Sequence, residues 1–356
     1  VGSFDHRRLL KTIIMTHWKI SLAAAAVLAL GTVSAGNACT RFTYVGADNA
    51  VYTGRTMDWS VTDNVSLHLM PRGIERKSHV KEGRPAKWTS KYGSVIAVSF
   101  EESLNSGINE AGLAVDGLWL EVSDYGSPKK ARNTVGGNEF PLYVMDNFAT
   151  VAEVVSFIEK GKLGIVQEKV PGTDTDLKLH FMVTDKTGDN AVIEFIKGEP
   201  VVYRMKGIAA MTNDPVYPEM KSIEQLYRDR GLEKNMPGTS HAVDRYLRAV
   251  GWMNQVKHDE AIAPEKVSDY YKVMGILRAV STPLGLSDAE NPQNCSTLWR
   301  VATNLNEGTF TIDSAYAMTT FTVKLSDLDF SGKKEKVIHI GDIDRTASQN
   351  LAELFR

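Results

Sequence analysis

Cysteine is scarce in this chain: Cys39 and Cys295 are the two among 356 residues. Two cysteines close at most one disulfide, which excludes a disulfide-stapled scaffold, and a chain of this length builds enough core without one. Metal-binding patterns are lacking too, since the eight histidines are scattered and neither His-Glu-x-x-His nor a Cys/His cluster occurs. Gly-x-x-x-x-Gly-Lys-Ser/Thr and Gly-x-Gly-x-x-Gly are missing, so nucleotide-binding folds have no support, and no Gly-x-Ser-x-Gly elbow is present. No metal and no cofactor is therefore expected. Basic residues are unclustered and the net charge is −2, which argues against a nucleic-acid partner. The longest apolar run, about eleven residues, falls short of the ~20 needed to cross a hydrocarbon core, so no stable membrane anchor is expected. There is no internal repeat and no low-complexity linker.

What the chain does have is an informative position for Cys39. Lys19 precedes the apolar run over residues 20–30, and Gly36-Asn37-Ala38 follows it as a small-x-small cleavage signature; together they read as a secretion signal. Residues 1–14 precede the first methionine, Met15, and are set aside with the signal. The expected organisation is residues 1–38 as upstream residues and cleavable signal peptide, and residues 39–356 as a single domain, secreted and most simply periplasmic. Cleavage between Ala38 and Cys39 places a thiol nucleophile and an α-amino base, of pKa about 7.7–8.0, in one residue. Two other readings of Cys39 stand beside this one. A lipoprotein cysteine needs an aliphatic residue three positions earlier, where Gly36 stands. An ordinary buried or disulfide-bonded cysteine is the other. Cys295 is expected to be reduced and buried near the last strands.

Residues 40–45 alternate like a strand, residues 46–49 turn, and residues 51–58 return, making a hairpin that carries Arg55 and Asp58 back beside Cys39. Further strands are expected over 94–100, 113–121, 179–184, 191–196, 296–303, 309–313 and 320–323, with turns over 106–112 and 185–190. Thr150 and Glu153 form a capping box for a helix ending at Gly161. Ser240 is placed to cap a second helix and Pro264 to open a third. Residues 123–137 read as a polar loop. Antiparallel strand pairs with helices grouped between them favour an α+β layered fold.

Four motifs in order, Cys39-Thr40-Arg41-Phe42, Gly54-Arg55-Thr56-Met57-Asp58-Trp59, Asn109-Glu110-Ala111-Gly112-Leu113 and Met211-Thr212-Asn213-Asp214-Pro215, resemble the choloylglycine hydrolase family of N-terminal nucleophile hydrolases, which holds penicillin V acylases and conjugated bile acid hydrolases. The resemblance spans essentially all of residues 39–356. It implies a four-layer αββα sandwich of two antiparallel sheets, a homo-oligomer (a tetramer), and hydrolysis of a small-molecule amide with an apolar acyl group. It implies roles as well: Cys39 as nucleophile, Arg55 favouring its thiolate, Asp58 orienting the amine and thiol, Asn213 donating its amide to the oxyanion, and Arg245 supporting the site electrostatically.

Two tryptophans bear on substrate. Trp119 falls where bile acid hydrolases usually carry Asn and typical penicillin V acylases Tyr, so its backbone N–H is expected to share the oxyanion with Asn213. Trp59 follows Asp58, and the two indoles are expected to form a flat apolar wall. This pattern, with a short segment before Arg245, looks like the Gram-negative branch of the family, which favours penicillin V and long-chain acyl-homoserine lactones. Bile salt hydrolysis is the alternative within the enzyme class, and a non-catalytic binding protein for acylated metabolites is the alternative outside it.

Overall fold

The computed structural model describes residues 39–46, 48–60, 63–128, 133–256, 269–286, 295–316, 319–343, 352 and 355. The expected signal segment, residues 1–38, lies outside them. The predicted hairpin is present as β1 (Thr40–Val45) and β2 (Val51–Trp59), with Arg41 opposite Arg55 and Thr40 opposite Thr56. Almost every residue of both strands is buried, because both faces are covered. Gly54 lies opposite Phe42, and a Cβ there would meet the Phe42 ring at 2.3 Å. A larger residue at 54 would therefore push the aromatic ring off the sheet.

One sheet runs in the order β15-β1-β2-β16-β17-β18, with β15 at Ala209–Thr212, β16 at Ser296–Asn304, β17 at Thr309–Ser314 and β18 at Thr319–Lys324. The second runs β14-β13-β12-β9-β8-β7-β3-β19. Its strands are β3 (Ser66–Met70), β7 (Ser94–Ser99), β8 (Ser103–Asn109), β9 (Leu113–Trp119), β12 (Leu179–Asp185), β13 (Asp189–Ile196), β14 (Glu199–Lys206) and β19 (Lys336–His339). Pairing within both sheets is antiparallel.

Three apolar layers separate four structural ones. Met57, Val95, Met182, Leu298 and Phe310 pack between the sheets. Helices α1 (Phe140–Asn147) and α2 (Val151–Glu159) cover the outer face of the second sheet through Phe140, Val154 and Phe181. Helices α3 (Tyr217–Asp229), α4 (Ala242–Val256) and α5 (Asp269–Val280) cover the first sheet through Phe42, Tyr246 and Met274. This is the expected αββα sandwich, with hydrophobic burial as its main source of stability.

Local expectations fared unevenly. The Thr150–Glu153 capping box is complete, and Gly161 takes a positive φ of 61° just beyond the helix. Helix α4 begins at Ala242, two residues after Ser240, and the Ser240 carbonyl accepts from Arg245 Nε at 2.7 Å. The start predicted at Pro264 lies outside the described residues. Residues 106–109, read as turn, are strand because β7 pairs with them; the turn is confined to the segment around Gly112. The presumed loop over 123–137 contains a strand, β10 (Asn133–Gly136), which pairs in parallel with β5 (Arg84–Pro85) and β11 (Leu163–Val166). With four residues, of which Val135 is the one large apolar side chain, the strand is too short to show a hydrophobicity pattern. A short pair, β4 (Glu75–Lys77) with β6 (Lys87–Thr89), completes the strands described.

Candidate active site

Strand alternation sorts the β2 motif onto two faces. Arg55 and Met57 line a narrow cavity of about 30 Å³ together with Cys39. Thr56 and Asp58 face the other way, toward α4: Thr56 Oγ1 lies 3.3 Å from Asp58 Oδ2 and Arg245 Nη1 lies 3.6 Å from the same oxygen. Cys39 sits at the head of β1, where the two groups meet, and its Sγ is 3.9 Å from the carbonyl oxygen of Asp58 and from Met57 Sδ. Both cysteines are buried and neither is in a disulfide, so the Cys39 thiol is not consumed by one. Cys295 lies just ahead of β16, as expected.

The charge on Arg55 favours the Cys39 thiolate, and burial opposes it. Burial pushes the Cys39 thiol above its ordinary pKa, and the opposing pull of Arg55 does not overcome it. Arg55 thus limits the rise without producing a standing thiolate. Arg55 is held by its Nη2, which donates to the Gly117 carbonyl at 3.0 Å, and by the Trp299 ring, whose centroid is 4.7 Å from the guanidinium carbon. Its Nε and Nη1 are buried with no hydrogen-bond partner, which leaves its charge directed at the cavity.

Asp58 is fully buried, and burial pushes its carboxyl up to about 6 against the pull of Arg245, Thr297, Thr56 and Arg55. Thr297 Oγ1 donates to Asp58 Oδ1 at 2.5 Å. Arg245, also fully buried, links three parts of the site: its Nη1 donates to Thr40 Oγ1 at 2.5 Å and faces Asp58, and its Nη2 reaches Asn213 Oδ1 at 3.3 Å.

Asn213 follows β15, and its Nδ2 donates to the Trp119 carbonyl at 2.8 Å. One amide hydrogen is therefore committed and the second remains for another acceptor. Leu120 N–H bonds Lys178 O, so the neighbouring pair Trp119–Leu179 is the non-hydrogen-bonded kind and the Trp119 N–H points away from β12. The last β8–β9 pair is Ser106–Asp116, so no β8 partner reaches Trp119. Its N–H and the Asn213 amide face the side on which Gly117 meets Arg55.

The tryptophans form a corner, not a flat wall. Trp59 and Trp119 meet edge to face at 6.2 Å and 63°, and Phe100 packs on Trp59 at 5.9 Å. Edge-to-face contact is the preferred geometry of two aromatic quadrupoles, which a coplanar wall would forgo. Leu118, Val170, Leu177 and Leu179 complete an apolar lining around Cys39. Phe100 and Pro171 are shared with a wider, open groove of about 520 Å³ rimmed by Asp63, Glu101, Glu102 and Asp342.

The structure thus brings together Cys39, Arg55, Asp58, Asn213, Arg245, Trp59 and Trp119. Thr297, Trp299, Thr56 and Thr40 belong with them and were not anticipated. The β16 strand was visible in the sequence, but nothing local to it signals that Thr297 pairs with Asp58. Among the described residues no group of three or more His, Cys, Asp or Glu side chains could hold a metal, and no helix is long and apolar enough to cross a membrane.

Known proteins resemble this chain in sequence and in fold. Over 331 residues the chain is 33% identical to a penicillin V acylase of Pectobacterium atrosepticum, with 88% of each chain covered. It is 27% identical over 181 residues to a bile salt hydrolase/transferase of Bifidobacterium longum, covering 50% of this chain and 56% of that one. The structure of a penicillin V acylase from Agrobacterium tumefaciens superimposes with a TM-score of 0.74 at 33% identity, over 85% of this chain and 91% of that one. A conjugated bile acid hydrolase variant from Clostridium perfringens shares the fold, with a TM-score of 0.72 at 20% identity over 87% and 98%. Residues 39–337 match the family described as linear amide C–N hydrolases, and the chain belongs to that family, the choloylglycine hydrolases.

Proposed function

We propose that this amide hydrolase uses Cys39 as its nucleophile and acts on linear amides with an apolar acyl group, as a penicillin V acylase does. The observation that carries the reading is the placement of the Cys39 thiol in an apolar cavity beside Arg55, with Asp58, Arg245 and Asn213 converging behind it. The family match begins at Cys39, and the likeness to the penicillin V acylase of Pectobacterium atrosepticum spans most of both chains.

In this mechanism the signal segment is removed after Ala38, in the course of export to the periplasm, and the freed α-amine of Cys39 takes the thiol proton as Sγ attacks the carbonyl carbon. The oxyanion is held by the Trp119 N–H and the second Asn213 amide hydrogen. Collapse of the tetrahedral adduct breaks the C–N bond, and the ammonium proton passes to the leaving amine. A water molecule, giving a proton to the same amine, then attacks the thioester, and the amine passes that proton to Sγ as the acid leaves, restoring the thiol and the free amine.

A second reading concerns the polar head. Asp63, Glu101, Glu102 and Asp342 rim the groove that continues from the cavity, and an acidic rim disfavours anionic heads. This favours a neutral acyl-homoserine lactone over heads that carry a carboxylate, penicillin V and glycocholate alike. The test is release of free amine from penicillin V, a long-chain acyl-homoserine lactone and glycocholate, with Cys39→Ala as control. Cys39-dependent release from either of the first two supports the proposal. Preference for glycocholate overturns the substrate reading, and turnover by Cys39→Ala overturns the mechanism.

A further inference from the structure

Asn105 and Ser103 bring neutral polar side chains into a cavity whose other lining residues, Cys39 and Arg55 aside, are apolar. In β8 the register against β7 slips by one residue: Ala97 faces Ser106, whereas Val98 faces Leu104. Asn105 is the extra residue of a β-bulge. The consequence is visible in where the side chains go. Ser106 donates to Asp116 at 2.5 Å, and Asp116 receives Arg41 from the opposite sheet, so Ser106 faces the space between the sheets. Its neighbour Asn105, which regular alternation would turn to the helical side, lines the cavity with Cys39 and Arg55. Bulges beside active sites commonly re-aim one side chain in this way.

The re-aimed amide is incompletely bonded. Asn105 is 5% exposed. Its Oδ1, at 3.3 Å, and Asn138 Oδ1, at 2.9 Å, compete for the single Ser103 hydroxyl hydrogen. Its Nδ2 is buried with no hydrogen-bond partner. A buried, unpartnered amide nitrogen is costly and rare, and in a ligand pocket lined by Trp59, Phe100, Trp119 and Leu179 such a group sets orientation and specificity. Arg55 also has unpartnered nitrogens, but its charge acts on the thiol, whereas Asn105 is neutral and lies in none of the sequence motifs.

We infer that Asn105 is a specificity-determining residue, donating its Nδ2–H to an acceptor oxygen carried within the acyl group, such as an ether or a keto oxygen near the scissile carbonyl. The inference rests on the acyl-amide reading above and names the acyl class that the site prefers. A pocket built to hydrogen-bond one substrate oxygen discriminates against the analogue that has a methylene there, because the amide is then left unpaired.

The test compares two amides of the same amine, 6-aminopenicillanic acid, one phenoxyacetyl and one 3-phenylpropanoyl, which differ by an oxygen against a methylene. For the wild-type enzyme kcat/KM should favour the ether by roughly five- to tenfold. Asn105→Leu should lower that ratio about fivefold or more, by slowing the ether substrate more than the methylene substrate. Asn105→Asp, which keeps the volume and removes the donor, should also lower the ratio, and it covers the case in which Leu disturbs the bulge. A wild-type ratio near one, or a preference that survives in both variants, overturns the inference while leaving the hydrolase reading intact. Hydrolysis of neither amide by the wild-type enzyme overturns the substrate reading and this inference with it.

Discussion

Arg245 Nη1 stands 3.6 Å from Asp58 Oδ2, and both side chains are completely buried. Burial alone would drive the carboxyl far up, and Arg245 is the largest influence holding it at about 6. If ionised Asp58 orients the nucleophile, kcat/KM should fall as pH drops through about 6. Arg245→Gln should move that acid limb to higher pH, because the main opposing charge is gone. The sign for stability is the reverse: a raised carboxyl pKa favours the folded state below its unfolded value of about 3.8 and loses that contribution as pH rises through about 6. A pH–rate profile and a pH-dependent melt therefore separate the roles. An acid limb that stays in place in Arg245→Gln would mean another group sets it, with Asp146 and Asp214, also pushed up to about 6, as the next to test.

Arg55 packs over Trp299 and opposes the burial-driven rise of the Cys39 pKa. Arg55→Met keeps the stem against the indole and removes the charge. The thiol should then titrate at still higher pH, and each unit of that rise lowers the thiolate fraction near neutrality about tenfold. Iodoacetamide alkylation followed against pH checks this directly, with the midpoint displaced upward in the variant. An unchanged midpoint would assign Arg55 to structure alone.

Asn213 bridges the site, its Oδ1 facing Arg245 and its Nδ2 bound to the Trp119 carbonyl. Loss of one oxyanion donor typically costs roughly 2.7–4 kcal/mol, or about 10²–10³ in kcat. Asn213→Ala should therefore lower kcat on this scale with little change in KM. A rise in KM at constant kcat would instead place Asn213 in ground-state binding.

Much of this site could be read before folding. The hairpin of β1 and β2 is local, and its alternation carries Arg55, Met57 and Asp58 back to Cys39. The Thr150 box is local as well. What escaped was long-range or conformational. Thr297 reaches Asp58 across 239 positions, and no pattern around residue 297 encodes that partner. Asn105 was hidden because a bulge is set by the pairing strand, and its flanking sequence looks like turn. The net direction of the Cys39 pKa depended on burial, which a motif does not convey.

Arg41 ties the two sheets together and supplies the last prediction. Its Nε donates to Asp116 Oδ2 at 2.8 Å, and its Nη2 reaches Thr184 at 2.7 Å, all in the dry space between the sheets. Removing one partner of a buried ion pair leaves the other charge uncompensated, at a cost of about 3–5 kcal/mol, whereas replacing both by apolar groups is often neutral or stabilising. Arg41→Met should accordingly lower the denaturation midpoint strongly. Arg41→Met combined with Asp116→Leu should recover a good part of that loss, though Ser106 and Thr184 then lose partners and recovery stays incomplete. Urea unfolding of the wild type, the single variant and the double variant tests this. If the double variant is no more stable than Arg41→Met, the pair acts through its wider hydrogen-bond network, with Thr43, Thr184 and Asn190, and charge compensation is the smaller effect.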